Sequence, residues 1–246
     1  MNLNASTFVK RRSNVVAITN VRIKHIIWYI IECYHLLKLD SPVYSKDWIR
    51  KNTTHKPEDF LKMELIEKYL IPNKHILNSK TSFLENICFN YEVQKRYIDS
   101  NDSREKVDKI DIYISKLGLA SEWMDFEENV YFSIECKRIL FLSDTKAYIS
   151  DVQKFTQRNH ISTRLPFEGM LGFIENKNLK CVSVLSEVNN ILRTSTSIST
   201  TSFLIPISIH SNFNDSFFSV HKKNFGSKVE FSIYHLFFDY TNLVSN

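Results

Sequence analysis

Two short stretches, DKIDIYI at residues 108–114 and YFSIECKRI at residues 131–139, decide how this chain is expected to fold. In both, apolar residues alternate with polar ones, which is the period-two pattern of a β-strand with one buried face. The alternation places Asp111 on one side of the first strand, and it places Glu135 and Lys137 together on one side of the second. A strand that only fills a core has no need of three charges at its centre, so these residues are candidates for chemistry.

If the two strands are hairpin neighbours, the carboxylates of Asp111 and Glu135 converge with the ammonium group of Lys137. Two close carboxylates repel each other unless a cation joins them, and Mg²⁺ binds carboxylates together with water and phosphate oxygens. The peptide carbonyl of Cys136 can add a further ligand. Such a metal polarises a phosphoryl oxygen and acidifies bound water, while Lys137 can orient that water or stabilise charge on the phosphate. These residues therefore predict phosphodiester hydrolysis with Mg²⁺, for which Mn²⁺ can substitute.

The amino-acid composition indicates which classes of protein this chain can belong to. The chain has 246 residues, 43% hydrophobic and 24% charged, as is typical of globular proteins. Only four Gly occur, and no Gly-rich phosphate-binding motif is present. The net charge of +5 favours a polyanionic partner such as nucleic acid. The four Cys are dispersed, and no signal peptide is evident, so we expect a reduced, cytoplasmic protein. No apolar run reaches the length of about 20 residues that a membrane span needs.

Predicted helices and strands alternate along the chain. The patterns predict helices over residues 21–39, 57–70, 144–159 and 182–192. They predict strands over residues 83–93, 107–114, 130–141, 169–174, 203–209, 217–221 and 229–240. Residues 115–129 and the Ser/Thr-rich residues 194–202 are predicted loops. Helices that flank a central group of strands indicate an α/β or α+β fold with a mixed sheet.

An Asp in one strand followed by a Glu-x-Lys in the next resembles the PD-(D/E)XK nuclease superfamily, which has the restriction-endonuclease-like fold. Here Asp111 precedes Glu135 and Lys137 in that order. The residue before Asp111 is Ile110, where the family pattern has Pro. The resemblance implies that Asp111 and Glu135 hold Mg²⁺ and that Lys137 activates water or stabilises the transition state.

Further segments extend this resemblance to roughly residues 56–240, in particular to bacterial nucleases of anti-phage defence. These segments are GMLGFI at residues 169–174, FSVHKK at 218–223 and IYHLFFDY at 233–240. The resemblance implies a restriction-endonuclease-like mixed sheet flanked by helices in a nuclease domain at residues 56–246. Residues 1–55 are then an N-terminal helical extension.

Two more site residues are implied by the resemblance alone. The helix after the Glu-x-Lys strand often carries a Gln or Glu near the metal, and Gln153 in YISDVQKF stands at the matching place. An earlier helix carries a Glu, and Glu58 in PEDFLKMELIEKYL fits that position, with Glu64 as the alternative.

The sequence therefore predicts a metal-dependent endonuclease that hydrolyses the phosphodiester bonds of DNA, as an effector of anti-phage defence or restriction. The expected substrate is double-stranded DNA, bound mainly through its phosphates. Two alternatives stay open. One is a non-catalytic binding subunit of a defence complex that keeps the nuclease fold, and the other is a nuclease of DNA repair or recombination.

A protein partner is also predicted. An unregulated nuclease would damage its host, so a regulatory or sensor subunit is expected. The predicted helix at residues 21–39 carries more apolar residues than one sheet needs, and an uncovered apolar surface is a liability. We expect it to dock on a second protein, which is either another copy of this chain or the regulatory subunit. The competing interpretation is that the C-terminal strands cover it.

Overall fold

A computed structural model describes residues 5–160, 165–224 and 229–245, of which residues 5–11 and 160 are described in the backbone alone. Within these residues the helices are α1 (Ala5–Asp40), α2 (Lys46–Asn52), α3 (Pro57–Leu65), α4 (Lys74–Lys80), α5 (Ala120–Trp123), α6 (Thr145–Gln157) and α7 (Cys181–Thr194). The strands are β1 (Tyr44–Ser45), β2 (Cys88–Asp99), β3 (Glu105–Ser115), β4 (Phe132–Ile139), β5 (Arg158–His160), β6 (Phe167–Ile174), β7 (Thr200–Pro206), β8 (Ser216–Lys222), β9 (Glu230–Asp239) and β10 (Val244–Ser245). Helix α3 continues into a π-helical turn, Ile66–Leu70.

In the described part of the chain, eight strands form one mixed sheet in the order β5-β2-β3-β4-β6-β9-β8-β7. Pairing is antiparallel from β5 to β4, parallel between β4, β6 and β9, and antiparallel again from β9 to β7. Parallel neighbours require a crossover, and the crossovers here contain α6 and α7. The predicted mixed sheet with flanking helices is confirmed.

The two faces of the sheet carry separate hydrophobic cores. Helices α1 and α3 pack on one face, where their apolar side chains share a cluster with Ile134 and Cys136 of β4. Helices α6 and α7 pack on the other face, against residues that include Met170 of β6. Lys137 forms an ion pair with α6, on the side opposite the first core. The predicted alternation of β4 therefore agrees with the structure.

Strands β4 and β6 approach closely at Gly169. A Cβ atom at this position would lie 2.6 Å from Cγ1 of Ile134 and 3.1 Å from Cζ of Phe132. Any side chain beyond hydrogen would therefore displace the neighbouring strand or its core residues. This close approach explains the first glycine of the GMLGFI segment.

The segments FSVHKK and IYHLFFDY meet in a buried hydrogen-bonded chain. The Ser219 hydroxyl lies 2.7 Å from Nε2 of His221 and 2.8 Å from Nε2 of His235. The Nδ1 atoms of the two rings bond to the hydroxyls of Thr200 (3.0 Å) and Tyr148 (2.8 Å). Burial lowers the pKa of His221 to about 4 and that of His235 well below its usual value. Both rings are therefore neutral, and this chain of hydrogen bonds joins α6 and the edge strand β7 to strands β8 and β9.

Helix α1 is longer than the predicted helix at residues 21–39 and belongs to the first core. Ile23 and Ile30 are fully buried. The Tyr34 ring stacks on Phe238 with centroids 4.0 Å apart, and the Tyr34 hydroxyl accepts a hydrogen bond from the amide of Asp239 at 3.0 Å. The apolar surplus that motivated the docking prediction is thus covered in part by α3, the π-helical turn, α4 and β9 of the same chain, while Val21 is exposed. A protein partner and the division at residues 55 and 56 stay predictions.

Other elements depart from the sequence patterns for physical reasons. Strand β2 starts later than predicted and also ends later. The later end was not predicted because the outer half of the strand is polar and pairs with β3 without an apolar alternation. The predicted loop at 115–129 contains the short helix α5, and β7 begins inside the Ser/Thr-rich segment. Among the described residues, no helix combines the length and the apolarity that crossing a bilayer requires.

Candidate active site

The two charged strands are antiparallel neighbours, and their main-chain pairing ends at the pair Ile112–Ile134. The next residues beyond this pair are Asp111 and Glu135, and they lie close enough for the charge of Asp111 to raise the pKa of Glu135. Oδ2 of Asp111 accepts a hydrogen bond of 2.8 Å from the Cys136 amide. A side-chain carboxylate thus binds the β4 backbone at the point where the ladder stops.

Helix α3 adds an acid and a base from one face. Its Glu58 accepts hydrogen bonds from Nζ of Lys137 at 3.3 Å and from the amide of Arg138 at 3.1 Å. One turn later, Nζ of Lys62 donates to Oδ1 of Asp111 at 2.8 Å. Residues four apart on a helix project from the same side. Helix α3 therefore contacts both charged strands at once.

Of the two candidate glutamates on α3, the structure brings Glu58 to the strands. Glu64 instead pairs with the exposed Lys68 at 2.7 Å, one turn along the helix. Pro57 fills the first position of the helix, where its missing N–H costs nothing. Glu58 follows in the first turn, where the helix macrodipole also favours a carboxylate.

Helix α6 contributes Asp151, which the sequence prediction missed. The buried Asp151 carboxylate forms an ion pair with Lys137 at 3.0 Å and accepts a hydrogen bond from Lys154 at 2.5 Å. Among the described residues, no contact joins the Gln153 side chain to the cluster, and its backbone carbonyl accepts from the Thr156 hydroxyl. Two residues along a helix correspond to about 200° of rotation, so Gln153 and Asp151 point in different directions. From α6, Asp151 is therefore the residue that contacts Lys137; a role of Gln153 stays a prediction.

Arg158, the first residue of β5, completes the cluster. Its Nη1 donates to Oδ2 of Asp108 at 2.5 Å and lies 3.4 Å from Oε1 of Glu135. Its guanidinium also lies over the Tyr97 ring. Arg158 stands outside the two charged strands in sequence, and no periodic pattern points to it.

The two facing carboxylates have opposite pKa shifts. Burial raises the pKa of Glu135 well above its usual value, the charge of Asp111 adds to this rise, and Arg158 offsets only part of it. Burial would also raise the pKa of Asp111, but the charge and hydrogen bond of Lys62 and the bond from Cys136 outweigh it, so that pKa is lowered. The cluster therefore contains one stabilised anion and one carboxylate whose ionisation is costly.

Lys137 stays protonated in this environment. Burial would lower its pKa, but the charges of Asp151 and Glu58 outweigh burial and raise the pKa above its usual value. A protonated ammonium group donates hydrogen bonds and cannot accept a proton from water. A protonated Lys137 fits both the stabilisation of charge on a phosphate and the orientation of a water molecule.

The raised pKa of Glu135 predicts a pH dependence of stability in the metal-free protein. Between the ordinary value of 4.5 and the folded-state pKa, the folded chain holds a proton that the unfolded chain has lost. The free energy of unfolding must therefore decrease as pH rises through this range. We expect Glu135→Gln to remove this part of the decrease, whereas Glu105→Gln, at an exposed site, should not. Urea denaturation across the range measures the effect, and equal slopes for Glu135→Gln and wild type would contradict it.

The missed residues do leave a signal in the sequence. Lys62 lies on the apolar stripe of α3, between Leu61 and Leu65, and it is fully buried. Asp151 is likewise buried on α6, beside Val152 on its apolar stripe. A charge on the buried stripe of an amphipathic helix needs a partner in the interior, and that requirement could have pointed to both residues.

The donor set suits a hard divalent cation. Asp111 and Glu135 offer carboxylate oxygens, which Mg²⁺ prefers. Burial is the main cause of the raised pKa of Glu135, and the charge of Asp111 adds a repulsion that a bound cation would offset. A ligand role for the Cys136 carbonyl stays a prediction, since the structure defines only the contact of its amide.

A second group, Glu32, His35 and His210, brings ligand-type atoms within 4.8 Å of one another between α1 and the segment after β7. Nε2 of His210 lies 2.8 Å from Glu32, and its Nδ1 accepts from the Asn212 amide at 3.1 Å. Because Nδ1 is an acceptor, the ring proton of His210 is on Nε2 and faces Glu32. A metal at Nε2 would have to displace that proton, so this group is a hydrogen-bonded tie between α1 and the loop.

Comparison with family models, with curated protein sequences and with solved structures gives no match for this chain.

Proposed function

We propose that this chain is a metal-dependent nuclease of the PD-(D/E)XK kind that hydrolyses phosphodiester bonds of double-stranded DNA. The observation that carries the proposal is the pair of facing carboxylates, Asp111 and Glu135, beyond the end of the β3–β4 ladder. Lys137 projects from the same strand as Glu135 and is charged. The succession of helix α3, antiparallel strands β2 to β4, helix α6 and the parallel strand β6 also supports a restriction-endonuclease-like fold.

In this proposal Asp111 and Glu135 hold Mg²⁺, which, when bound, polarises a phosphoryl oxygen and acidifies water. Lys137 donates hydrogen bonds to the phosphate or to the attacking water and stabilises the charge of the transition state. Glu58 and Asp151 fix the Lys137 ammonium from two helices, so its position is set before the substrate binds. Preorganised donors of this kind need no rearrangement during the reaction.

The net charge of +5 supports a nucleic-acid substrate bound through phosphates. The role in anti-phage defence or restriction, and the regulatory or sensor subunit that it implies, rest on the motif resemblance. A repair or recombination nuclease would use the same chemistry in another pathway.

One observation favours the alternative of a non-catalytic binding subunit. Asp111, Glu58 and Glu135 each already pair with a cation of the protein, namely Lys62, Lys137 and Arg158. An arrangement of internal ion pairs is stable without metal, and a binding subunit that keeps the fold could retain it.

A cleavage assay separates these functions. The purified full chain is incubated with plasmid DNA in the presence of Mg²⁺, Mn²⁺ or EDTA, and the DNA forms are quantified. We expect nicked or linear DNA with either metal and none with EDTA. Salt-sensitive DNA binding without cleavage in any metal would instead support the binding subunit.

A further inference from the structure

Lys62 is the most deeply buried cation of the candidate site. Its relative exposure is 0%, and its Nζ lies 2.8 Å from Asp111, 3.1 Å from Asp59 and 3.6 Å from Glu92. A buried ammonium group is costly unless it is paired and hydrogen-bonded. Three carboxylates, from α3, β2 and β3, converge on Lys62 and meet this requirement.

The backbone of β2 is adapted to this contact. Glu92 has a φ of +58°, a left-handed conformation that is uncommon for a residue with a side chain. It stands opposite Asp111 in the β2–β3 register, between the paired residues Tyr91 and Val93. Its carboxylate also accepts from Lys109 at 2.8 Å. An uncommon backbone conformation persists only where the surroundings impose it, and here it accompanies the placement of a carboxylate beside Lys62.

Both oxygens of Asp111 are engaged, one by Lys62 and one by the Cys136 amide. The same carboxylate is a proposed Mg²⁺ ligand. A metal on Asp111 would therefore lie within a few ångströms of a fixed positive charge that repels it. Without metal, the same charge keeps Asp111 ionised and in place.

We propose that Lys62 is a built-in counter-cation of Asp111, which holds the site together without metal and weakens metal binding to it. This inference rests on the proposed function. Coulomb repulsion between a divalent ion and an ammonium group at about 5 Å, screened as in water, corresponds to roughly tenfold in affinity or more. Lys62 acts through Asp111, so it is a positioning residue. It sets the metal concentration that is needed to fill the site.

The test compares metal affinities of the full chain. Mn²⁺ binding is measured by electron paramagnetic resonance of the free ion for wild type, Lys62→Met, Lys62→Arg and Lys68→Met. Lys68→Met is the matched control, because it removes an exposed lysine of the same helical segment whose ion pair is with Glu64 and not with Asp111. We expect Lys62→Met to bind Mn²⁺ at least about tenfold more tightly than wild type. Lys62→Arg, which keeps the charge, and Lys68→Met should bind as wild type does.

A folded Lys62→Met protein with unchanged or weaker Mn²⁺ affinity would overturn the inference and leave the proposed function intact. If Lys62→Met does not fold, Lys62→Gln, which keeps a hydrogen-bond donor and loses the charge, is judged by the same criterion. A wild-type protein whose Mn²⁺ binding is absent, or is unaffected by Glu135→Gln, would overturn the proposed function and this inference together.

Discussion

Replacing Glu135 by Gln or Lys137 by Met is expected to lower the rate of metal-dependent DNA cleavage by about 10²–10³, which corresponds to roughly 3–4 kcal/mol of transition-state stabilisation. Gln keeps the shape of Glu135 but removes the charge that would hold the metal. Met keeps the length of Lys137 but removes the ammonium group that Glu58 and Asp151 position. Both side chains lie outside the apolar face of β4, so the fold should persist.

Glu105→Gln and Lys106→Met at the outer end of β3 are matched controls, since they make the same chemical changes away from the cluster. Cleavage rates and thermal unfolding are measured on the same preparations of all four variants. Cleavage at the wild-type rate by a folded Glu135→Gln protein would show that this carboxylate is structural. If Lys137→Met unfolds, its loss of activity has no bearing on catalysis, and Lys137→Arg then tests the position.

Ser219→Ala is expected to destabilise the fold by about 2–6 kcal/mol. Its hydroxyl is shared by two buried neutral histidines, His221 and His235, at 2.7 and 2.8 Å. Removing it leaves two buried ring nitrogens without that partner, and an unsatisfied buried polar group costs about 1–3 kcal/mol. A loss of this size is a large part of the whole free energy of unfolding of an ordinary domain.

Urea denaturation of Ser219→Ala measures this loss, with Ser79→Ala as the control. Ser79 is exposed and bonds only to a carbonyl of its own helix, so its loss should change the free energy of unfolding by less than about 0.5 kcal/mol. A comparably small change for Ser219→Ala would mean that the two rings find other partners.

The sheet was predictable because most of its strands carry apolar alternation or continuous apolar runs. Strand β4 shows this best, since Ile134 and Cys136 lie in the core on the face that the period of two assigns to them. The outer half of β2 was not predictable from that signal, because it is held by polar cross-strand pairing. Covering of α1 by β9 was raised as an alternative, but no local pattern could decide it, because the contact joins residues about 200 positions apart.

At the candidate site, the strand residues followed from alternation and one helical residue, Glu58, followed from the resemblance. From α6 it is Asp151 and not Gln153 that contacts Lys137, because motif spacing does not fix which side of a helix faces the sheet. Lys62 and Asp151 leave only the signal of a charge on the buried stripe of a helix, and Arg158 reaches the cluster through tertiary contacts that only the folded chain defines. Whether these residues perform catalysis is tested by the variants above.

The contact between α1 and β9 has a consequence for synthesis on the ribosome. Helix α1 is translated first, yet the ring that stacks on its Tyr34 belongs to Phe238. At about 5–20 residues per second, the roughly 200 intervening residues take about 10–40 s to make. During this interval α1 can already pack on α3, the π-helical turn and α4, which are made soon after it. The Tyr34 end of the nascent helix stays without its native partner until the last long strand emerges.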